Sequence, residues 1–189
     1  AFLKRVVRIC IEEIGTDLLH FDNFFSRPEP NRCRCRYCAE GFRAFVRAKY
    51  TDAELKERYG YTDLGDFEPP PVQPDAMDWQ RSSIEEPWLQ DWIEYHCVAL
   101  AQAYGELADY ARSLRPDIAV ELNPYGLDDR NTAQTLSVDH PRLLPHGDCF
   151  WSEEHHYAGV DAKGDMTTRI RSFKMARTLR QVLFTYVTP

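Results

Sequence analysis

Residues 17–38 read DLLHFDNFFSRPEPNRCRCRYC, and the fold turns on this stretch. Leu18, Leu19 and Phe21 make a short apolar run of strand length that ends in Asp22-Asn23. Pro28 and Pro30 mark an irregular loop, and Cys33, Cys35 and Cys38 then fall within six residues. A buried strand that ends in a carboxylate and an amide, followed by a long loop, suits a unit whose strand tips do the chemistry.

Upstream, Phe2, Val6, Ile9, Cys10 and Ile14 recur at helical spacing, with Gly15 as a C-terminal stop. Downstream, residues 37–50 suit a helix with Phe42, Phe45 and Val46 on one side. A second short helix over 52–59 follows Thr51 as its N-cap. Residues 60–76 are rich in Gly, Pro and Asp and form a long excursion. The longest helix spans 87–114, with Leu89, Ile93, Cys97, Leu100, Tyr104, Leu107, Ala111 and Leu114 as its apolar stripe. Strands follow at 118–124 (IAVELNP) and 148–153 (DCFWSE), then a helix over 166–180 and a last strand, QVLFTYV, over 181–187.

Strands alternating with helices imply a parallel sheet joined by crossovers. Two architectures accommodate that order, a doubly wound sheet and a (β/α)8 barrel. No G-x-G-x-x-G and no P-loop follows any strand, so the nucleotide-binding form of the first lacks its signature. Polar residues gather instead at strand ends: Asp22-Asn23, Asn123 and Glu153-Glu154. The expectation is therefore an α/β fold, a partial (β/α)8 TIM barrel of about four consecutive βα units with long decorated loops. Residues 1–189 are expected to form one catalytic-type barrel domain without an internal boundary. The opening in mid-helix, without an initiator Met, leads us to expect an excerpt of a longer polypeptide.

With 189 residues, 43% hydrophobic and 13% aromatic, the chain can bury one substantial core. A net charge of −7 argues against a broad nucleic-acid or anionic-membrane surface. No apolar run approaches the roughly 18–20 residues of a membrane span.

The six cysteines are not spaced like a small disulfide framework, and free thiols favour a cytoplasmic setting. Cys10, Cys97 and Cys149 lie in apolar segments and read as buried. Cys33, Cys35 and Cys38 form C-x-C-x-x-C. Closely spaced thiolates repel unless a cation holds them, and tetrahedral Zn²⁺ accepts three or four sulfurs. A structural zinc is expected, its fourth ligand not identified and supplied by a histidine or from beyond these residues. Three loop thiols without a metal, or redox-active cysteines, are the other readings. No organic cofactor is implied.

HFDN, the loop, CRCRYC and then F-R-x-F-V-x-x-K-Y together resemble the bacterial β-galactosidases of glycoside hydrolase family 42 and their barrel relatives. The specific part is 21–50, and the rest of the chain is similar more loosely. The resemblance implies a barrel, a trimer-forming family and retaining chemistry on β-linked sugars. It also implies zinc held by the cysteine cluster with one more cysteine from an earlier loop. In that family the strand ends Asp-Asn-Glu with the Glu as acid/base; here Phe24 stands at that place. The nucleophile Glu of a later strand has its nearest counterpart in LFTYVTP, which offers no carboxylate. The chain is then either a hydrolase with relocated carboxylates or a protein that binds sugar without cutting it.

Glycoside hydrolysis needs two carboxyl groups across the scissile bond. Strand alternation puts His20 and Asp22 on one face and Leu19 and Phe21 on the other, and pairs Glu121 with Asn123. Around Trp151 the parity is ambiguous. The catalytic candidates are Asp22 and Glu153, with Glu154 in reserve. Asp22 reads equally as an orienting acceptor of hydrogen bonds. Asn23, Asn123, Trp151, His155 and Tyr157 are candidate sugar contacts. Aromatics near the strand ends, Phe24 and Phe25 among them, either stack on sugar or pack the helix–barrel interface. His155 and His156 lack the spacing of a helical metal motif. A carbohydrate is the expected partner, with no nucleic acid and no membrane.

Overall fold

A computed structural model describes residues 1–28, 31–71, 86–124, 132–152, 159–160, 162–164, 166–167 and 170–185. Helix α1 (Phe2–Arg8) passes into a π-helical turn (Ile9–Ile14), which Gly15 ends at φ +76°, left-handed backbone that glycine adopts freely. Strand β1 (Leu18–Phe21) follows, then helices α2 (Arg36–Lys49), α3 (Asp52–Tyr59) and α4 (Pro87–Leu114). Thr51 and Glu54 cap α3 reciprocally, each accepting from the other's backbone N–H. Strand β2 (Ala119–Leu122) leads to α5 (Thr132–Leu136), α6 (His140–Leu143) and a 3-10 turn (Leu144–His146). After β3 (Cys149–Trp151) come β4 (Gly159–Val160) and β5 (Met166–Thr167), an antiparallel pair, then α7 (Ile170–Leu179) and β6 (Val182–Phe184).

The four longer strands form one parallel sheet in the order β1-β2-β3-β6. Each new strand is laid beside the one before it, and the order never reverses. A doubly wound sheet reverses at its switch point. Among the described residues the sheet thus adds its strands in one direction.

Period-two alternation divides the sheet into two faces. Leu19, Val120, Leu122 and Phe150 are buried against Val7, Ile11, Ala101, Tyr104, Leu107, Ala108 and Ala176 of the surrounding helices. Ser152, just past β3, is buried on this side and bonds Ser172 of α7 at 2.9 Å. His20, Asp22, Glu121, Asn123, Cys149 and Trp151 therefore lie on the other face. On that face Val182 and Phe184 are 59% and 41% exposed.

A second cluster holds α2 and α3 against the N-terminal half of α4 through Phe42, Val46, Leu55, Leu64, Phe67 and Trp92. This explains a departure from the expected stripe of α4. Leu89 and Ile93 are only half-buried, while Asp91, Trp92 and His96 are buried, because this half of the helix turns a different side to α2 and α3. The C-terminal half, through Tyr104, Leu107 and Ala111, faces the sheet as expected.

The helix expected over 166–180 starts only at Ile170, and Met166 pairs with Val160 in the β4–β5 ladder instead. Cross-strand pairing there satisfies backbone groups that the helical reading assigned to the helix's first turn. Between β2 and β3, residues 132–136 and 140–143 are short helices. Among the described residues no helix is long and apolar enough to cross a membrane.

Candidate functional site

The ends of β1 and β2 bring three polar side chains together. The ladder continues one step past the strands, with the Asn123 backbone N–H donating to the Phe21 carbonyl at 3.0 Å. Asp22 and Asn123 are thereby set side by side on the face away from the core. The Asn123 Nδ2 donates to Asp22 Oδ1 at 2.9 Å, and the Asn23 Nδ2 donates to Asp22 Oδ2 at 2.7 Å. Both carboxylate oxygens thus accept a hydrogen bond. Asn23 reaches this place because its backbone is left-handed, φ +52°, a conformation that Asn tolerates better than most residues.

That reversal turns Phe24 inward. Its ring meets Phe21 at 6.0 Å and Tyr104 at 5.8 Å, and Phe25 packs on the same core. Both aromatics thus pack on the helix-facing side, the second of the two readings that the sequence left open for them. Trp151 stands on the opposite face, half-buried, since its neighbours Phe150 and Ser152 are both buried towards the helices. The parity that the sequence left ambiguous is settled for Trp151 by that packing. Glu153, Glu154, His155 and Tyr157 lie outside the described residues.

One layer below Asp22 lies a pair that the sequence did not single out. His20 and Glu121 are register partners on β1 and β2, and the His20 Nδ1 stands 2.5 Å from Glu121 Oε2. The Glu121 side chain is 4% exposed and that of His20 is 42% exposed. Glu121 Oε1 is buried and meets no hydrogen-bond partner among the described residues. Alternation had put both residues on the right face, but the register across roughly a hundred residues of chain was not readable from either strand alone.

The cysteine loop forms a separate centre. The sulfurs of Cys33, Cys35 and Cys38 all lie within 4.8 Å of one another, and Cys35 and Cys38 are 3.8 Å apart. Two sulfurs that each sit about 2.3 Å from a tetrahedral ion are separated by about 3.8 Å, so the spacing fits a thiolate-bound metal. Cys35 is the N-cap residue of α2. The backbone N–H of Cys38 and the neighbouring Cys33 thiol bring the Cys35 thiol down to about 7. Burial, with the two neighbouring sulfurs, pushes Cys38 up to about 12. Three thiols this close cannot all ionise without a cation.

Nearby, Arg32 is buried and donates to the carbonyls of Gln134 and Thr135, each at 2.9 Å, which ties the loop to α5. His96 is buried on α4. Its ring packs edge-on to Trp92 at 4.2 Å, and burial together with Arg32 and Arg34 pushes it down to about 3. Among the described residues no fourth Cys, His, Asp or Glu joins the three sulfurs at that spacing. Of the remaining thiols, Cys97 and Cys149 are buried as expected and raised to about 11 by burial, whereas Cys10 is only partly buried.

These values give a direct expectation for the loop. In metal-free protein Cys35 should be alkylated first, with its rate rising through about pH 7 as the thiolate forms, while Cys97 and Cys149 stay silent. Added Zn²⁺ should protect all three loop cysteines. Mass spectrometry of iodoacetamide-treated protein checks both points, and equal labelling of the three with or without zinc would remove the metal site.

Comparison with solved structures places the fold. The chain superposes on the polyextremophilic β-galactosidase of the Antarctic haloarchaeon Halorubrum lacusprofundi with a TM-score of 0.56 and 17% identity, over 80% of this chain and 22% of that one. It superposes on the β-galactosidase of Bacillus circulans sp. alkalophilus with a TM-score of 0.55 and 14% identity, over 94% of this chain and 25% of that one. The chain spans about a quarter of the length of these enzymes, and the likeness is one of fold. No protein-family model and no curated protein sequence matches.

Proposed function

We propose that this chain is part of a carbohydrate-active (β/α)8 barrel, a glycoside hydrolase that works through carboxylates at the C-terminal ends of its strands. The observation that carries the reading is Asp22, clasped by Asn23 and Asn123 at the ends of adjacent parallel strands. Barrel enzymes gather their reacting groups at that end of the sheet. The unidirectional strand order and the fold shared with β-galactosidases support the barrel. Val182 and Phe184, apolar yet exposed on the inner face, suit a surface that further strands would cover.

In this reading Asp22 is one carboxylate of the pair, and Glu153, with Glu154 in reserve, is the other. Asn23 and Asn123 hold Asp22 and offer amide groups to sugar hydroxyls. Trp151 presents a ring beside them, and His155 and Tyr157 complete the sugar contacts. Cys33, Cys35 and Cys38 would hold a structural Zn²⁺, which braces the loop after β1 and offers no reacting position once four ligands close around it.

A second reading, sugar binding without cleavage, is favoured by one observation: Phe24, just past the Asp-Asn tip, packs into the core and leaves no carboxylate at that place. Calorimetry with galactose, glucose, lactose and methyl β-galactoside, run beside a panel of aryl glycosides, separates the two. Saturable binding with release of the aryl alcohol is expected. Binding without release over long incubation would favour the silent protein, and neither binding nor release would end both readings.

A further inference from the structure

The interior of a barrel is usually filled by branched apolar side chains, which pack densely and need no partners. Here the layer beneath Asp22 and Asn123 holds a histidine and a glutamate on adjacent strands. A buried carboxylate is costly unless it is paired, and an apolar pair of similar volume would stabilise the sheet more. Among the described residues the cost falls directly under the polar strand ends, and such departures from packing rules concentrate at functional sites.

We infer that Glu121 fixes His20 in the Nδ1–H form, so that Nε2 stands as a hydrogen-bond acceptor towards a hydroxyl of a neutral saccharide held above it by Asp22 and Asn123. The inference rests on the carbohydrate reading above for its ligand, and on the geometry of the pair for its tautomer. An ionised carboxylate can only accept, so with Glu121 in that form the contact places the proton on Nδ1. A neutral ring then has its lone pair on Nε2, the arrangement by which a carboxylate orients a histidine for proton exchange. Glu121 cannot swing away to release the ring, because its side chain is buried and its strand is paired in register with that of His20. The second oxygen of Glu121 is buried and has no partner among the described residues, a further departure from ordinary packing in the same layer. His20 thereby acts on the ligand, and Glu121 is a positioning residue that acts through it.

Two variants separate this role from a structural one. His20→Asn places an amide NH₂ where Nδ1 was, so the bond to Glu121 survives while Nε2 is lost. Glu121→Leu removes the orienting carboxylate and leaves the ring. The test uses the full-length protein and two measurements: ring ¹⁵N shifts of His20 at a pH where the ring is neutral, and calorimetric affinity for methyl β-galactoside and lactose. The wild type should show Nδ1 protonated and Nε2 unprotonated, with the Nε2 resonance moving on saccharide addition. His20→Asn should fold normally and bind about tenfold or more weakly. Glu121→Leu should lose the tautomer preference and weaken binding similarly. A wild-type ring protonated on Nε2 overturns the inference whatever the saccharides do. So does His20→Asn binding as well as the wild type. An Nδ1–H ring in a protein that binds no saccharide overturns the assigned ligand together with the carbohydrate reading, and leaves only the tautomer standing.

Discussion

Replacing Asp91 by alanine is expected to cost about 3–5 kcal/mol of stability, a fall in Tm of roughly 10 °C for a chain of this size. Asp91 is fully buried in α4, and four donors converge on it. Lys49 Nζ at 2.6 Å and the Tyr50 hydroxyl at 2.9 Å meet Oδ1, while Arg58 Nε at 2.8 Å and the Tyr59 hydroxyl meet Oδ2. These donors come from α2, α3 and the residues between and beside them, so one carboxylate fastens three helices. Removing it leaves Arg58 partly buried without its carboxylate and Lys49 with Glu94 alone, which is the expensive way to break an ion pair. Burial alone would raise the acid's pKa. The hydrogen bonds from Lys49, Tyr59, Arg58 and Tyr50 outweigh it and hold the group below the usual aspartate range.

The sign of the pH effect follows. A carboxylate depressed in the folded state stabilises it fully above its unfolded pKa, near 4, and that contribution is lost as pH falls through the lower folded value. Lys49 is raised, through its bonds to Asp91 and Glu94 acting against burial, so it stays charged across this window. Thermal melts by circular dichroism from pH 2 to 7 should show a steep acid limb in the wild type and a shallower one in Asp91→Asn. A loss below about 1 kcal/mol in Asp91→Ala would mean that the buried network is not what holds α3 and α4 together.

Asp91 also marks where sequence reasoning stops. The helix that carries it was legible from end to end, because Pro87 opens it, an apolar stripe runs along it and Arg115-Pro116 closes it. Which side of its first half is buried was not legible, since that depends on α2 and α3 docking some forty residues away in the chain. The same divide runs through the sheet. The apolar runs of β1, β2, β3 and β6 announce strands, and the parity of each announces its faces. The register that sets His20 against Glu121 belongs to two strands jointly and has no local signal. The β4–β5 hairpin was missed because two-residue strands are too short to show a period, and a helical pattern ran on through Met166. At the site, Asp22 and Asn123 were legible as strand-end polar groups, whereas the inward turn of Phe24 follows from the left-handed backbone at Asn23.

If the proposed hydrolase reading holds, substituting Asp22 by asparagine should lower turnover of an aryl glycoside at least about a hundredfold while moving Tm hardly at all. The stability half of this follows from exposure: Asp22 is solvent-accessible and its two partners are neighbouring side chains at the rim of the sheet, not the core. The activity half follows from donor and acceptor matching. Asn23 and Asn123 each present an NH₂ to Asp22, and both can be satisfied only by a residue with two acceptor oxygens. Asparagine brings one oxygen and one NH₂, so one of the two amides must face a donor and turn away. The strand ends then lose their arrangement together with the negative charge that, in the proposed hydrolase, would face a developing positive centre on the sugar ring. Asp22→Glu keeps the charge but moves it outward by one methylene, and should recover little, because groups aimed at a reacting centre tolerate displacements well under that length. If Asp22 only orients its neighbours, Asp22→Asn will raise KM for the glycoside and leave kcat within a few-fold. If it carries charge to the reaction, kcat falls and KM changes little. Unchanged kcat and KM in this variant, with Glu153→Gln and Glu154→Gln equally silent, would move the chemistry away from these strand ends altogether.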